Sequence, residues 1–273
     1  MLAPGPYRAE QIREGQPYEL SNGHLVECMP TGRRGGLANR LGGQVLGTDP
    51  AVEVAGVDVG FTADPGHLRA PDVAVGGFTD EPGWAPGAPP LAVEYADTGQ
   101  DEAELKKKIA ELLVAGTKHV WVVRLTGPRR VEVHEPGRPM RLARPGDELV
   151  APGILQNPVP VAALYDQEAA GEATLKNLLQ RRGYADLDAV LAAGKLVGKL
   201  EGSRAGELKG RRDALLSVLA ARGLAVSDAQ RARILAADEV GVLDRWLVQA
   251  TASETTEDAL AEKSRAARKP RRR

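Results

Sequence analysis

Apolar and polar residues alternate with a period of two at many points in the first part of the chain, and this pattern predicts β-strands. Five such runs are VEVAGVDVGF, PDVAV, LAVEYA, HVWVVR and RVEVHE. An earlier segment, YELSNGHLVEC, predicts a hairpin, because Asn-Gly favours a tight turn between two short strands. The segment GLANRLGGQVLG has helical spacing, and we predict a helix there despite its four glycines.

An amphipathic helix is predicted in DEAELKKKIAELLVAG, between the third and fourth of these strands. Its apolar positions follow helical spacing: Leu105, Ile109, Leu112 and Leu113. Asp101 followed by Glu104 resembles a capping box, and Gly116 predicts the end of the helix. A strand, a helix and another strand in this order predict a crossover within a mixed β-sheet flanked by helices, which is an α/β fold.

The pattern becomes helical after about Tyr165, where segments such as ATLKNLLQRRG, LDAVLAAGKLVGKL and GRRDALLSVLAARG are separated by glycine, serine or aspartate. We therefore predict three parts, an α/β domain over residues 1–166, a small all-helical extension over 167–252 and a basic, disordered tail over 253–273. The last eleven residues hold no acid and seven positive charges, Lys263, Arg265, Arg268, Lys269, Arg271, Arg272 and Arg273.

Composition narrows the class of protein. The 273 residues carry a formal net charge of −1, so the molecule as a whole lacks the excess of basic residues that is typical of nucleic-acid-binding proteins. The single cysteine, Cys28, excludes an intrachain disulfide framework and fits a reducing compartment. The sequence shows neither a signal peptide nor an apolar run long enough to span a membrane. We expect a cytoplasmic protein without membrane partners.

Two acids lie within predicted strands. Glu94 shares a strand face with Ala92 and Ala96, and Asp72 shares a face with Ala74. If the two strands are neighbours, both carboxylates point into one pocket. The alternative is structural, with Asp72 as a turn residue after a proline and Glu94 facing solvent.

A third group would distinguish these alternatives. Pro71-Asp72 followed by Glu94 matches the PD-(D/E)XK nuclease pattern, but Ala96 stands where that pattern has lysine. On the helical wheel Lys108 falls at the border of the apolar face, whereas Lys107 points to solvent. Lys108 is therefore the candidate replacement, and an ordinary surface pair with Glu104 is the alternative.

The order of these features resembles the Uma-type family of putative restriction endonucleases, a branch of the PD-(D/E)XK superfamily. The resemblance covers about residues 15–166, through YELSNGHLVE, RAPDVAV, LAVEYAD and, most specifically, LKKKIAELLVAGTKHVWVV. It implies a restriction-endonuclease-like fold and an endonuclease that uses Mg²⁺, or Mn²⁺, to cleave DNA, with RNA not excluded. The implied catalytic residues are Asp72, Glu94 and Lys108. The implied metal ligands are Asp72, Glu94, the backbone carbonyl of Tyr95 and Glu19.

The sequence also bears on other functions. The four histidines have no zinc-type spacing and only one cysteine accompanies them, which excludes a zinc site. The basic tail is a candidate for contacts with the nucleic-acid backbone. The alternative function is a catalytically inactive nuclease fold that acts as a nucleic-acid- or partner-binding module. A homodimer is compatible with either function.

Overall fold

The computed structural model describes residues 5–262, and its contacts divide the chain into two units, residues 1–187 and 188–273. Within the described residues, no helix combines the length and the apolar character needed to cross a membrane.

The first unit contains strands and helices in this order: β1 (Tyr18–Ser21), β2 (His24–Glu27), α1 (Arg33–Thr48), β3 (Ala55–Val57), β4 (Phe61–Thr62), β5 (Val73–Val75), β6 (Ala85–Pro86), β7 (Leu91–Ala96), α2 (Glu102–Ala115), β8 (His119–Arg124), β9 (Arg130–His134), β10 (Arg141–Ala143), β11 (Glu148–Leu149), β12 (Val159–Pro160) and α3 (Gln167–Arg181). Short 3₁₀ turns lie at Ala9–Gln11 and Val161–Leu164.

A six-stranded mixed sheet forms the centre of this unit, with the strand order β10-β9-β8-β7-β5-β3. Strands β7 and β8 are parallel and are joined by α2, which confirms the predicted crossover, and the other neighbours in the sheet are antiparallel. Helix α2 covers the sheet face that carries Ala92 and Val122. Helix α1 covers the opposite face, which carries Val93 and Trp121. The predicted α/β class is confirmed.

Helix α2 begins and ends where the sequence predicts. The Asp101 carboxylate accepts hydrogen bonds from the backbone N–H groups of Ala103 (2.9 Å) and Glu104 (3.1 Å), and Gly116 ends the helix with a left-handed φ of 114°. The reciprocal half of the capping box is not present, because the Glu104 side chain accepts a hydrogen bond from Arg69 instead, at 2.7 Å.

Helix α1 is longer than predicted. One of its glycines, Gly42, has a packing role. A Cβ atom on Gly42 would lie 2.1 Å from the Tyr95 hydroxyl oxygen, so only glycine lets α1 approach β7 this closely. The Tyr95 hydroxyl donates to the backbone oxygen of Leu164 at 3.0 Å, which holds the ring in place.

Helix α3 packs on α1. Gln44 donates to the Thr174 hydroxyl (3.2 Å), and the Asn177 amide donates to the backbone oxygen of Val45 (3.1 Å). Arg181 donates to the backbone oxygen of Val52 at 2.6 Å. These contacts are the reason why α3 belongs to the first unit, whereas the boundary expected from the sequence, at residue 166, lies before this helix.

The second unit is helical, with α4 (Leu187–Ala221), α5 (Asp228–Ala236), α6 (Val240–Ala250) and α7 (Thr256–Ala259). The sequence predicts two helices where the structure has α4, a single helix of 35 residues. Its internal glycines weaken a helix by about 1 kcal/mol each but keep the backbone N–H donor, so they do not end it. The core of this unit contains Leu215, Leu219, Ile234 and Trp246.

Candidate metal-binding active site

The two strand acids adjoin the same end of neighbouring strands. Val73 of β5 is the register partner of Val93 of β7 in an antiparallel pair. Asp72 precedes the first of these residues and Glu94 follows the second, so the two acids meet where the pairing of β5 with β7 ends. Neighbouring strands therefore bring together the two acids that the sequence singles out.

The Asp72 carboxylate is held by one donor on each oxygen. The backbone N–H of Tyr95 donates to Oδ2 at 2.6 Å, and the Asn39 side-chain amide donates to Oδ1 at 3.1 Å. No lysine or arginine within residues 5–262 forms an ion pair with Asp72. Its orientation is thus set by neutral donors, and its charge is not neutralised by a protein cation.

Glu94 is only 7% exposed. The Lys108 ammonium nitrogen lies 2.8 Å from Oε1 and 3.0 Å from Oε2 of this carboxylate. Burial raises the pKa of Glu94 to about 8; Lys108 opposes this shift, and the charges of Asp72 and Glu19 add to it. Burial thus disfavours the ionised form of Glu94, and a bound cation would favour it.

Lys108 reaches the cleft from α2, while Lys106 and Lys107 are exposed. Besides Glu94, its ammonium group contacts Oε1 of Glu19 at 2.9 Å and donates to the backbone oxygen of Ala70 at 2.7 Å. Burial opposes its charge, but the surrounding carboxylates, first Glu19 and then Glu94, raise the pKa of Lys108 above its ordinary value. Lys108 is therefore protonated at neutral pH.

A second buried cation, Arg69, was not identified from the sequence. Its guanidinium contacts Glu19 Oε2 (2.9 Å), Glu104 Oε1 (2.7 Å) and Glu111 Oε2 (2.5 Å). The surface pair between Glu104 and Lys108 does not form, because Arg69 binds Glu104. A pattern in the sequence could have indicated this cluster, since Glu104, Lys108 and Glu111 follow helical i, i+4, i+7 spacing on one face of α2.

Glu19 connects the two cations. Oε1 contacts Lys108 and Oε2 contacts Arg69, both at 2.9 Å. Burial alone would raise the pKa of Glu19, but the two cations together lower it below its ordinary value. Both oxygens of this carboxylate are therefore engaged by protein cations.

A cleft of about 920 Å³ contains these groups, including Glu19, Asp72, Glu94, Tyr95 and Lys108. It is also lined by two polar residues that the sequence analysis missed, Asp58 and Asn39.

The first is Asp58, an exposed residue with a left-handed φ of 55°. Loss of hydration within the cleft and the charge of Asp72 raise its pKa. Its sequence position, within a predicted strand, gave no indication of this location.

The second is Asn39, a polar side chain among the buried apolar positions of α1, such as Ala38 and Leu41. The sequence could have indicated Asn39, because it is a polar residue on the apolar face of a predicted helix.

The residues present fit a hard divalent cation. Within residues 5–262, no group of three or more His, Cys, Asp or Glu side chains is arranged to hold a metal by itself. Mg²⁺, however, is commonly bound through one or two carboxylates, with waters and phosphate oxygens as the other ligands. Asp72 forms no ion pair with a lysine or arginine of residues 5–262, and the buried Oε1 of Glu94 lies 2.8 Å from the Lys108 ammonium but accepts no hydrogen bond of good geometry. These carboxylate oxygens are the donors that such a cation requires.

The basic residues proposed to contact nucleic acid lie outside the described residues. They are Lys263, Arg265, Arg268, Lys269, Arg271, Arg272 and Arg273.

Comparisons with known proteins bear on the family of this chain. A search of curated proteins found no match. One similar solved structure is that of "a putative nuclease belonging to DUF820" from Anabaena variabilis, which is 18% identical, with 59% of this chain and 96% of that chain covered and a TM-score of 0.49. A family model named Uma2, described as "Putative restriction endonuclease", matches residues 7–161, which is more than half of the chain. The chain belongs to the Uma2 family, and this membership supports a nuclease function in general.

Proposed function

We propose that this protein is a metal-dependent endonuclease that hydrolyses phosphodiester bonds of DNA. One observation carries the proposal. Lys108 extends from α2 to within 2.8 Å of Glu94, in the cleft that also contains Asp72. The helix thus supplies the lysine that the strand lacks at Ala96, and the three groups of the nuclease pattern meet in one place.

In this proposal Asp72 and Glu94 hold Mg²⁺ or Mn²⁺, together with the backbone carbonyl of Tyr95. The bound cation would polarise the phosphate and lower the pKa of water. Asp72 suits this role because Asn39 and the Tyr95 N–H fix its orientation without neutralising its charge.

Lys108 does not act as the general base, because its neighbours keep it protonated. Its contacts with Ala70, Glu19 and Glu94 match the three N–H donors of an ammonium group and fix its position. From there it offsets negative charge that develops on the phosphate. We assign Glu19 to the positioning of Lys108, since a direct metal bond would require one of its two ion pairs to break.

The reaction is a hydrolysis in which the oxygen of a water molecule bonds to phosphorus and the bond from phosphorus to the leaving oxygen breaks. One proton of the attacking water passes to solvent, and the leaving oxygen takes a proton from solvent. The residues of the cleft orient the phosphate and the water and stabilise charge.

The alternative, a catalytically inactive binding module, is favoured if Lys108 points to solvent. The side chain of Lys108 is only 13% exposed and lies against Glu94 and Glu19. This observation supports the enzyme over the binding module.

Cleavage assays test the proposal. Supercoiled plasmid, single-stranded DNA and RNA are incubated with Mg²⁺ or Mn²⁺ and wild type, Asp72→Ala, Glu94→Ala or Lys108→Ala. Lys107→Ala is the matched control, because this lysine is exposed on the same helix. We expect metal-dependent DNA cleavage that is lost in the first three variants and kept in the control. Wild type that cleaves no substrate, or variants as active as wild type, would contradict the proposal. Cleavage of RNA alone would show that the substrate is RNA and not DNA.

A further inference from the structure

Asn39 is a buried amide whose two ends have different environments. The residue is 6% exposed. Its Nδ2 donates to Asp72 Oδ1 at 3.1 Å. A carboxylate only accepts hydrogen bonds, so the amide nitrogen must face Asp72 and the orientation of the amide is determined. Oδ1 is therefore the end of the amide that is not bonded to Asp72, and no donor within residues 5–262 bonds to it.

Another buried asparagine shows the usual arrangement. Asn177 is 5% exposed, and its Oδ1 accepts a hydrogen bond from the Asn157 amide at 2.8 Å. Its nitrogen donates to the backbone oxygen of Val45 at 3.1 Å. Both ends of Asn177 have protein partners, as is normal for buried polar groups. Asn39 thus lacks a protein partner at the oxygen, where Asn177 has one.

The position of Asn39 follows from the close approach of α1 to β7. Gly42, one turn further along the helix, leaves room for the Tyr95 hydroxyl. Asn39 and the Tyr95 N–H then bind the two oxygens of Asp72. Asn39 lines the same cleft as Glu94.

We propose that Asn39 is a further residue of the metal centre, which uses both ends of its amide. Nδ2 orients Asp72, and Oδ1 supplies an oxygen to the coordination of the divalent cation. Amide oxygens are ordinary ligands of hard cations. This assignment rests on the proposed function, since it requires that Asp72 and Glu94 hold the cation.

Mn²⁺ binding by the full chain, measured by calorimetry, tests the assignment together with the melting temperature of the metal-free protein. We expect Asn39→Ala to bind Mn²⁺ about 10- to 100-fold more weakly than wild type. Asn177→Ala is the control, and it should lower the melting temperature while leaving the Mn²⁺ affinity unchanged. An Asn39→Ala variant with the affinity of wild type would overturn the assignment.

Asn39→Asp separates coordination from a purely structural role. It keeps an oxygen in the cleft but places a second carboxylate against Asp72, so the metal-free protein should melt at a lower temperature than Asn39→Ala. We nevertheless expect it to bind Mn²⁺ more tightly than Asn39→Ala, because the cation relieves the repulsion. If Asn39→Asp binds more weakly than Asn39→Ala, the assignment is wrong. If wild type itself binds no Mn²⁺, or if Asp72→Ala binds it equally well, the proposed metal centre fails as well.

Discussion

Two cations of the first unit, the buried Arg69 and the partly buried Lys108, bind opposite oxygens of the same carboxylate, Glu19, yet their other partners differ. Arg69 is paired with two further carboxylates, Glu104 and Glu111. Lys108 is paired with one further carboxylate, Glu94, and with the backbone oxygen of Ala70. The side chains are 4% and 13% exposed, respectively.

The difference separates a structural contact from a candidate reactive one. The planar guanidinium of Arg69 distributes its donors over three acids, and these acids raise its pKa although burial opposes its charge. It joins the β1–β2 hairpin to α2. Lys108 is a compact charge that pairs with Glu94, whose pKa is raised, and its charge also acts on Asp72, with which it forms no ion pair. Lys108 therefore lies next to the two carboxylates that are proposed to hold the cation, whereas Arg69 does not.

The largest effect is expected from Arg69→Met. Three carboxylates would lose their common buried partner, which typically costs about 3–5 kcal/mol of unfolding free energy. Denaturant unfolding monitored by circular dichroism measures this loss. Arg138→Met is the control, because Arg138 is 73% exposed in its pair with Glu135 and should contribute less than about 1 kcal/mol. Equal effects of the two substitutions would show that Arg69 is not a structural centre.

Lys108→Met should chiefly affect activity. Under the proposed function, removal of this charge lowers the DNA cleavage rate about 100- to 1000-fold, as the loss of one charge-stabilising group often does. Its unfolding free energy should change less than that of Arg69→Met. Single-turnover cleavage and denaturant unfolding of the same samples give both numbers, with Lys107→Met as control. A Lys108 variant that is destabilised like Arg69→Met but remains active would reverse the comparison.

Gly42→Ala should disturb the Lys108 side of the site and leave the Arg69 contacts in place. The new Cβ would lie 2.1 Å from the Tyr95 hydroxyl, and such overpacking costs about 1–3 kcal/mol. Gly36→Ala, on the exposed face of the same helix, meets no atom within 4 Å and should be neutral or slightly stabilising. Unfolding free energies and Mn²⁺ affinities of the two variants provide the test. If Gly42→Ala matches Gly36→Ala in both, close packing of α1 does not position the site.

The pH dependence of stability should reveal the role of Glu19. Its two cations lower its folded-state pKa below the ordinary value of 4.5. The ionised carboxylate therefore stabilises the fold above pH 4.5, and this contribution is lost as the pH falls from there through the folded-state pKa. One proton changes the unfolding free energy by at most about 1.4 kcal/mol per pH unit.

Unfolding of wild type and Glu19→Gln, measured without metal from neutral to acidic pH, tests this expectation. Wild type should be more stable at neutral pH, and its advantage should shrink only in the acidic range. An advantage that is constant with pH would show that the ion pairs of Glu19 do not stabilise the fold.

The sequence by itself determined the features that depend on local periodicity. The apolar spacing in α2, its cap at Asp101 and its end at Gly116 are local, as is the separation of Lys108 from the exposed Lys107. The alternation in β7 likewise determined that Glu94 shares its face with Ala92. Such patterns are predictable because they involve residues that are close in the chain.

Only the tertiary structure decided which groups meet. Arg69 and Glu19 are 50 residues apart in sequence, and Asn39 and Asp72 are 33 apart. A further long-range contact, the hydrogen bond from Arg69 to Glu104, replaces the predicted capping-box bond of Glu104. Contacts with α1 likewise place α3 in the first unit. Several charged groups compete for partners in the buried space between the sheet and its helices, where an unpaired charge is costly. Local spacing can place such groups on one face of a helix, but it does not determine which of them pair with residues far away in the chain.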